Sequence, residues 1–215
     1  MWFVHGTSRA TRPVFAAFRE SHRGVGVVQY LVIGIRCLIG TVFLASFFGK
    51  VVGRGAFATF VTSVREMRLL PPRLARPAAL VVVGVEPAVC VLLAVSRPPV
   101  TGIALLAASG LLMSFAVAIG VAVHRGVRKP CRCFGTSTVP LGWLHVVRNV
   151  VLATLAVSAL MAGSASGPVT AGGLAVASLA GLLLGSFVVV LDDVVALFKP
   201  LDRLAGASGD TRGLH

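Results

Sequence analysis

GIALLAASGLLMSFAVAIGVAV, residues 102–123, is a run of 22 residues without a single charged side chain. An α-helix needs about 20 predominantly apolar residues to cross the hydrocarbon core of a bilayer. Four further apolar stretches have similar lengths, at residues 30–48, 78–95, 141–162 and 171–191. The sequence therefore predicts an all-α protein that crosses the cell membrane five times as a helix bundle.

The composition also favours lipid over water as the surrounding medium. The 215 residues are 56% hydrophobic and 13% charged, whereas soluble domains carry about 25% charged residues. The net charge is +13, but the basic residues flank the apolar stretches, as orientation signals and contacts with anionic headgroups do. No basic run is interleaved with aromatic residues, so the predicted partner is the lipid bilayer and nucleic-acid binding is not expected.

The chain is predicted to have four parts. Residues 1–29 form a basic N-terminal segment that lacks the apolar core and cleavage site of a secretory signal peptide. Residues 30–162 form a four-helix membrane domain, and residues 163–198 hold the fifth transmembrane helix with its extension. Residues 199–215 are predicted to be a disordered tail.

Five crossings place the connections alternately on two sides of the membrane. Side A holds the N-terminal segment and the turns near residues 97–99 and 163–168. Side B holds the connection at residues 50–77, a connection with two cysteines, and the C-terminal tail.

The side B connection at residues 50–77 is predicted to contain a short amphipathic helix. Phe57, Phe60, Val61 and Val64 recur at helical spacing, and Pro71 ends the pattern. Such a helix would anchor the chain at the membrane surface. Alternatively, it would act as a lid or as a docking surface for a partner on side B.

Small residues recur every fourth position in two of the predicted membrane helices. Small side chains let helix backbones approach closely in lipid, so both stripes are predicted to pack within the bundle rather than form a homodimer face. The stripes are Gly110, Ser114, Ala118 and Ala122 in the third helix, and Gly173, Ala177, Gly181 and Gly185 in the fifth.

The connection between the third and fourth helices contains KPCRCFG at residues 129–135, with two thiols one residue apart. We expect Cys131 and Cys133 to be the catalytic pair, with Arg128, Lys129 and Arg132 favouring the reactive thiolate. A disulfide between them would close a very small ring and be readily reduced.

Two other interpretations of these thiols stay open. They could be incidental, or they could bind a metal together with His124 and His145. The one-residue spacing and the lack of a second cysteine pair are untypical of metal sites. We therefore assign no metal ligand.

Charged residues inside predicted membrane helices are functional candidates, because charge within a bilayer is costly. Arg36 and Glu86 differ in predicted depth by about 6 Å at 1.5 Å per residue, so we predict an ion pair between them. The pair would be a structural clamp or the polar wall of a quinone or substrate pocket. Neither the pair nor any other sequence feature identifies a quinone site.

Further polar residues lie at other depths in the predicted helices. Arg148 and Asn149 lie in the fourth helix, where Arg148 would reach side B headgroups or turn towards the dithiol; Lys50 has the same two options. Cys37 and Cys90 lie in the side A half, most of the membrane thickness from the dithiol. A direct thiol relay between the two pairs is therefore not expected.

With these elements in place, the chain resembles the MauE family (methylamine utilisation protein MauE) within the DoxX-like membrane proteins, from about residue 28 to residue 160. The elements that carry the resemblance are Arg36 with the Phe43–Lys50 end of the first helix, residues 57–70, Glu86-Pro87, Arg125-Gly126, Cys131-Arg132-Cys133-Phe134-Gly135 and Arg148-Asn149. The basic N-terminal segment and Pro130 are not features of that family.

The resemblance implies a four-helix core joined here by a fifth transmembrane helix. It also implies a membrane component of a thiol–disulfide pathway that works with a thioredoxin-like partner and a cysteine-containing substrate protein. In the family, this pathway is linked to maturation of the disulfide-rich small subunit of methylamine dehydrogenase. A non-enzymatic DoxX-like subunit or small-molecule transporter, working through Arg36 and Glu86, is the alternative.

The side of the membrane that holds the dithiol is open. Side B carries thirteen Lys and Arg residues and side A five, which places side B in the cytoplasm by the positive-inside rule. The basic residues before the first helix favour a cytoplasmic N-terminus instead. The resemblance also favours an external dithiol, because disulfides persist in oxidising compartments.

Overall fold

A computed structural model describes residues 11–95, 97–126, 142–163 and 169–207, with side chains between residues 26 and 191 of these ranges, apart from that of Pro98. The described chain is helical, and no strand occurs in these ranges. The six helices are α1 Thr11–Val51, α2 Ala56–Glu66, α3 Pro72–Ala94, α4 Pro98–His124, α5 Trp143–Ala162 and α6 Ala171–Ala207. The all-α prediction is confirmed.

Five of these helices contain segments long and apolar enough to cross a bilayer, so this is a multi-pass membrane protein. The spans are Gly26–Val51, Pro72–Ala94, Pro99–His124, Trp143–Ala162 and Ala171–Leu191. They match the predicted stretches to within about six residues. The first and last helices continue beyond their spans, because apolar length marks only the part in lipid. In particular, α6 runs to Ala207, past residue 199 where the tail was predicted to begin.

The bundle is organised around α1, which contacts α2, α3, α5 and α6, while α4 packs between α3 and α5. Ile39 and Val42 of α1, Leu105 and Leu112 of α4, and Leu152 of α5 are at most 2% exposed and form its core. The outward faces carry many exposed leucines and valines. This pattern, apolar both inside and outside, is expected for a bundle whose solvent is lipid.

The predicted small-residue stripe of α6 does pack within the bundle, against α1. A Cβ added at Gly185 would lie 2.8 Å from Thr41 Cβ and 2.9 Å from the Leu38 carbonyl oxygen. Gly34 and Gly181 also meet at this contact. The two helices therefore approach at a distance that only glycine allows at these positions.

The stripe predicted for α4 was partly wrong. Gly110 and Ser114 are exposed, whereas Ala104 and Ala108, on another face with the same four-residue spacing, are 0% exposed. Because α4 is apolar all round, its sequence contains several small-residue stripes. Nothing in their spacing shows which one faces the bundle.

The predicted amphipathic helix exists as α2 and packs onto α3 rather than lying only at the membrane surface. Phe60 and Val61 pack with Ala79 and Val82. The helix ends at Glu66, and Arg68 then adopts a positive φ of 51°. Arg125, directly after α4, donates a hydrogen bond of 3.1 Å to the Arg68 carbonyl oxygen. The end of α2 is thus tied to the point where the dithiol connection begins.

Candidate functional site

A buried ion pair joins α1 and α3 in the core of the bundle. The ammonium nitrogen Nζ of Lys50 lies 2.6 Å from Oε1 of Glu86, and the two side chains are 0% and 1% exposed. Taking two charges out of water costs several kcal/mol per ion, which close pairing and further hydrogen bonds must offset. Glu86 was identified from the sequence, but its partner was not.

Ser46 is the third member of this cluster. Lys50 Nζ donates to Ser46 Oγ at 2.5 Å, and Ser46 Oγ donates to Glu86 Oε1 at 2.9 Å. Residues four apart on an α-helix share a face, so α1 presents Ser46 and Lys50 together to α3. That spacing opposite a membrane glutamate was the sequence signal for the cluster, which was not predicted.

Two aromatic rings cover the Lys50 ammonium. Nζ lies 5.1 Å from the ring centroid of Phe60 in α2 and 5.8 Å from that of Phe115 in α4. Cations within about 6 Å of a ring centroid are attracted by the ring's quadrupole. Because Phe60 is 1% exposed, α2 closes the side B end of the cluster.

The second carboxylate oxygen of Glu86 is chemically available. Oε2 is buried and has no hydrogen-bond partner among the described residues. A buried acceptor without a partner costs about 1–3 kcal/mol. The oxygen can therefore accept a proton or a hydrogen bond from a donor that enters the cluster.

The predicted Arg36–Glu86 ion pair was wrong. Arg36 donates through one guanidinium nitrogen, NH2, to the carbonyl oxygen of Leu93 and, at 3.2 Å, to that of Val95. Glu86 is level with Ser46, ten residues or about 15 Å further along α1. The depth estimate failed because it aligned the side A ends of two helices that do not end at one level. Arg36 instead satisfies carbonyls at the C-terminal end of α3.

A cavity of about 620 Å³ lies beside Arg36, between α1, α3 and α6, and extends from the side A end past the middle of the membrane. Its lining includes Arg36, Cys37 and Cys90, with leucines from α1 and α6. Both thiols are free and half-buried. Cys90 Sγ donates to the Gly40 carbonyl oxygen at 3.6 Å.

Arg148 and Asn149 are buried in α5, at 9% and 0% exposure. Arg148 NH1 donates to the Val188 carbonyl oxygen of α6 at 3.4 Å, and Asn149 Nδ2 donates to the His145 carbonyl oxygen at 2.7 Å. Arg148 is therefore inside the bundle near side B and does not extend freely into the headgroup layer, as the simpler prediction had it.

The predicted catalytic dithiol, Cys131 and Cys133, lies outside the described residues, as do Arg128, Lys129 and Arg132. The same holds for the thiol part of the alternative metal site with His124 and His145. What the structure describes is the two ends of the connection, at Gly126 after α4 and Gly142 before α5. Both ends lie on side B, the side on which α2 joins α1 to α3.

Comparison with known proteins gives one family. The family model described as methylamine utilisation protein MauE matches residues 28–162. A methylamine utilization protein MauE from Paracoccus denitrificans is 42% identical over 101 residues, which cover 46% of this chain and 53% of that protein. The chain thus aligns with about half the length of this relative. No solved structure matches this chain.

Proposed function

Because this chain belongs to the family of methylamine utilisation protein MauE, we propose that it is the membrane component of a thiol–disulfide pathway. Its Cys131–Cys133 pair would exchange a disulfide with a thioredoxin-like protein or with a cysteine-containing substrate protein. The relative's name concerns methylamine utilisation. A disulfide-rich protein of that pathway is the substrate class we propose by analogy with the family.

The proposed reaction is a disulfide exchange that balances without a further reagent. A thiolate of the reduced protein attacks the Cys131–Cys133 disulfide and forms a mixed disulfide. The second thiolate of the attacking protein then resolves it and releases Cys131 and Cys133 as the dithiol. Two electrons and two protons move to this chain. Arg128, Lys129 and Arg132 would stabilise the thiolates by their charge.

One structural observation supports this proposal more than any other. The dithiol connection leaves α4 and enters α5, two helices in extensive contact that both belong to the family-matched region. Its first end is also fixed to α2 by the hydrogen bond from Arg125 to Arg68. A short connection that begins and ends on the helix bundle is a suitable carrier for a reactive pair that meets an external partner.

A quinone that accepted electrons inside the bundle would need room beside a polar residue such as Glu86 or Arg148. The packing around Glu86, which is 1% exposed beneath Phe60 and Lys50, does not fit a quinone ring. Arg148 is likewise enclosed. We therefore derive no step through a quinone. In the proposed exchange the partner protein supplies the two electrons, and the Cys131–Cys133 disulfide receives them.

The test uses two matched double-serine variants. Membranes that contain the Cys131→Ser and Cys133→Ser variant should no longer oxidise a reduced thioredoxin-like protein. Oxidation is measured as the disappearance of free thiols from that protein. The Cys37→Ser and Cys90→Ser variant should keep it, because those thiols lie in the other half of the membrane. Full activity of the first variant would exclude the proposed exchange.

The location of the dithiol needs a separate measurement. Intact cells would be treated with a membrane-impermeant maleimide, with and without prior reduction. For an oxidative pathway we expect labelling of Cys131 and Cys133 only after reduction. Labelling that requires cell lysis would place the pair in the cytoplasm, as the excess of basic residues on side B suggests.

The second candidate function is a non-enzymatic DoxX-like subunit or small-molecule transporter. The observation that favours it is the buried cluster of Lys50, Glu86 and Ser46, since charge within a membrane often marks a substrate or proton path. On this account Glu86→Gln abolishes function, while serine at both Cys131 and Cys133 has almost no effect. The double-serine variant separates the two candidates, because the first predicts loss of function and the second almost no effect.

A further inference from the structure

The side A cavity carries an unbalanced positive charge. Of its fourteen lining residues, Arg36 is the one with a full charge, and no acidic residue is among them. A charged group away from water needs an opposite charge or strong hydrogen bonds. The carbonyl oxygens of Leu93 and Val95 supply part of this, but they carry no net charge.

The Arg36 guanidinium also has donors to spare. Its two hydrogen bonds both use NH2. Nε is buried without a hydrogen-bond partner and is not accessible to a ligand, whereas NH1 takes part in neither of the two bonds. NH1 therefore has donor hydrogens that can bond a phosphate or carboxylate oxygen, and the charge of the guanidinium strengthens such a bond.

The position of the cavity follows from the unequal ends of three helices. Tyr30 of α1 bonds Thr170, just before α6, at 3.1 Å. By contrast, α3 ends beside Arg36, six residues or about 9 Å deeper along α1. The short α3 therefore leaves a recess between α1 and α6 that begins near the side A headgroup layer.

The recess opens towards lipid. Three of its lining leucines are substantially exposed: Leu44 at 45%, Leu174 at 45% and Leu182 at 47%. From Gln29 to Leu44 the lining extends fifteen residues along α1, about 22 Å of depth. The shape is that of a channel with a cationic head and an apolar, lipid-facing body.

We propose that this cavity binds an anionic phospholipid from the side A leaflet. The phosphate accepts a hydrogen bond from NH1 of Arg36, and one acyl chain lies along Leu44 and Leu182. The volume of about 620 Å³ is within the range of roughly 300–1,000 Å³ found for ligand pockets. A neutral quinone would leave the charge of Arg36 unbalanced, and a soluble anion would leave the apolar channel empty.

The test measures the phospholipid that remains with the protein after purification in mild detergent. Wild-type protein from bacterial membranes should retain phosphatidylglycerol or cardiolipin at about one molecule per chain, quantified by mass spectrometry. Arg36→Gln should lower the retained anionic lipid about 10- to 100-fold, the effect expected for losing charge-assisted hydrogen bonds. Arg97→Gln is the matched control, because Arg97 is exposed on the same side and does not line the cavity; it should retain the lipid.

A second variant keeps the charge and fills the channel. Ser178→Phe should displace the acyl chain, whereas Ser186→Phe, two turns deeper on the same face of α6 and outside the cavity lining, should not. In delipidated protein, added phosphatidylglycerol should raise the Tm of wild type and of both controls, but not of Arg36→Gln or Ser178→Phe. Equal retention by wild type and Arg36→Gln, retention of a quinone in place of the lipid, or no retained anionic lipid would each overturn the proposal.

Discussion

Replacing Lys50 with methionine should destabilise the bundle strongly, because it leaves the Glu86 carboxylate buried without its counter-ion. Methionine fills most of the volume of the lysine stem, so the change removes charge rather than packing. The remaining carboxylate keeps the Ser46 hydroxyl on Oε1, and Oε2 has no partner among the described residues. Glu86 is 1% exposed, so water cannot replace the lost ammonium unless α2 moves away from the cluster.

The expected magnitude follows from the burial of both partners. Removing one member of a buried ion pair costs about 3–5 kcal/mol. This corresponds to roughly a 100- to 4,000-fold change in the unfolding equilibrium, at about 1.4 kcal/mol per factor of ten. Glu86→Leu should cost a similar amount, since it leaves the ammonium buried. The double variant Lys50→Met with Glu86→Leu should cost less than either single change, because no unpaired charge remains.

The assay is equilibrium unfolding of the purified protein in mixed detergent micelles, with all four proteins compared as a double-mutant cycle. Arg54→Met is the matched control, since Arg54 is exposed just beyond the same helix end; it should change stability by less than about 0.5 kcal/mol. If Lys50→Met were as mild as this control, or if the two single costs simply added, the ion pair would not hold the core as described.

Three further changes test the packing around the cluster and the bundle. Gly185→Ala should cost about 1–3 kcal/mol through overpacking against Thr41 and Leu38, while Gly172→Ala, with open space around it, should cost nothing measurable in the same unfolding assay. Phe60→Ala should lower the free energy of unfolding by about 3–5 kcal/mol, because it opens a cavity over Lys50. Phe48→Ala should lower it far less, because Phe48 is 49% exposed. Equal losses would contradict the role of α2 as a cover. Arg125→Gln should remove the hydrogen bond to the Arg68 carbonyl oxygen, a loss of about 0.5–1.5 kcal/mol. Amide hydrogens at the end of α2 should then exchange faster, whereas Arg97→Gln should leave their exchange unchanged.

The membrane architecture could be predicted from the sequence because apolar length has few interpretations. A run such as residues 102–123 has no stable alternative to a transmembrane helix, so all five spans were found. Such runs do not show which face of each helix points into the bundle or how deep each residue lies in the membrane. Gly110 and Ala108 are both small and uncharged, yet Gly110 faces outward and Ala108 is fully buried. Helix packing in lipid depends on shape, which a single sequence does not reveal.

The candidate polar residues were found, but their pairing was not. Glu86 stood out because a charge in lipid demands a partner. To choose that partner, the relative depths of α1 and α3 must be known. On side A, α6 begins level with Tyr30 of α1, whereas α3 ends level with Arg36, six residues deeper. Lys50 had been considered only as a headgroup or thiol contact, because it lies at a helix end. Its long stem instead reaches back into the core to Glu86.

The dithiol itself rests on motif and family, so the central claim needs a chemical measurement. Purified protein with an oxidised Cys131–Cys133 pair would be mixed with one equivalent of a reduced thioredoxin-like protein. Sequential alkylation with light and heavy reagents would then be read by mass spectrometry, peptide by peptide. Disulfide exchange predicts that the disulfide lost from Cys131–Cys133 equals the disulfide gained by the partner, with Cys37 and Cys90 reduced throughout. A partner that stays reduced, or one oxidised while Cys131 and Cys133 keep their state, would contradict the account.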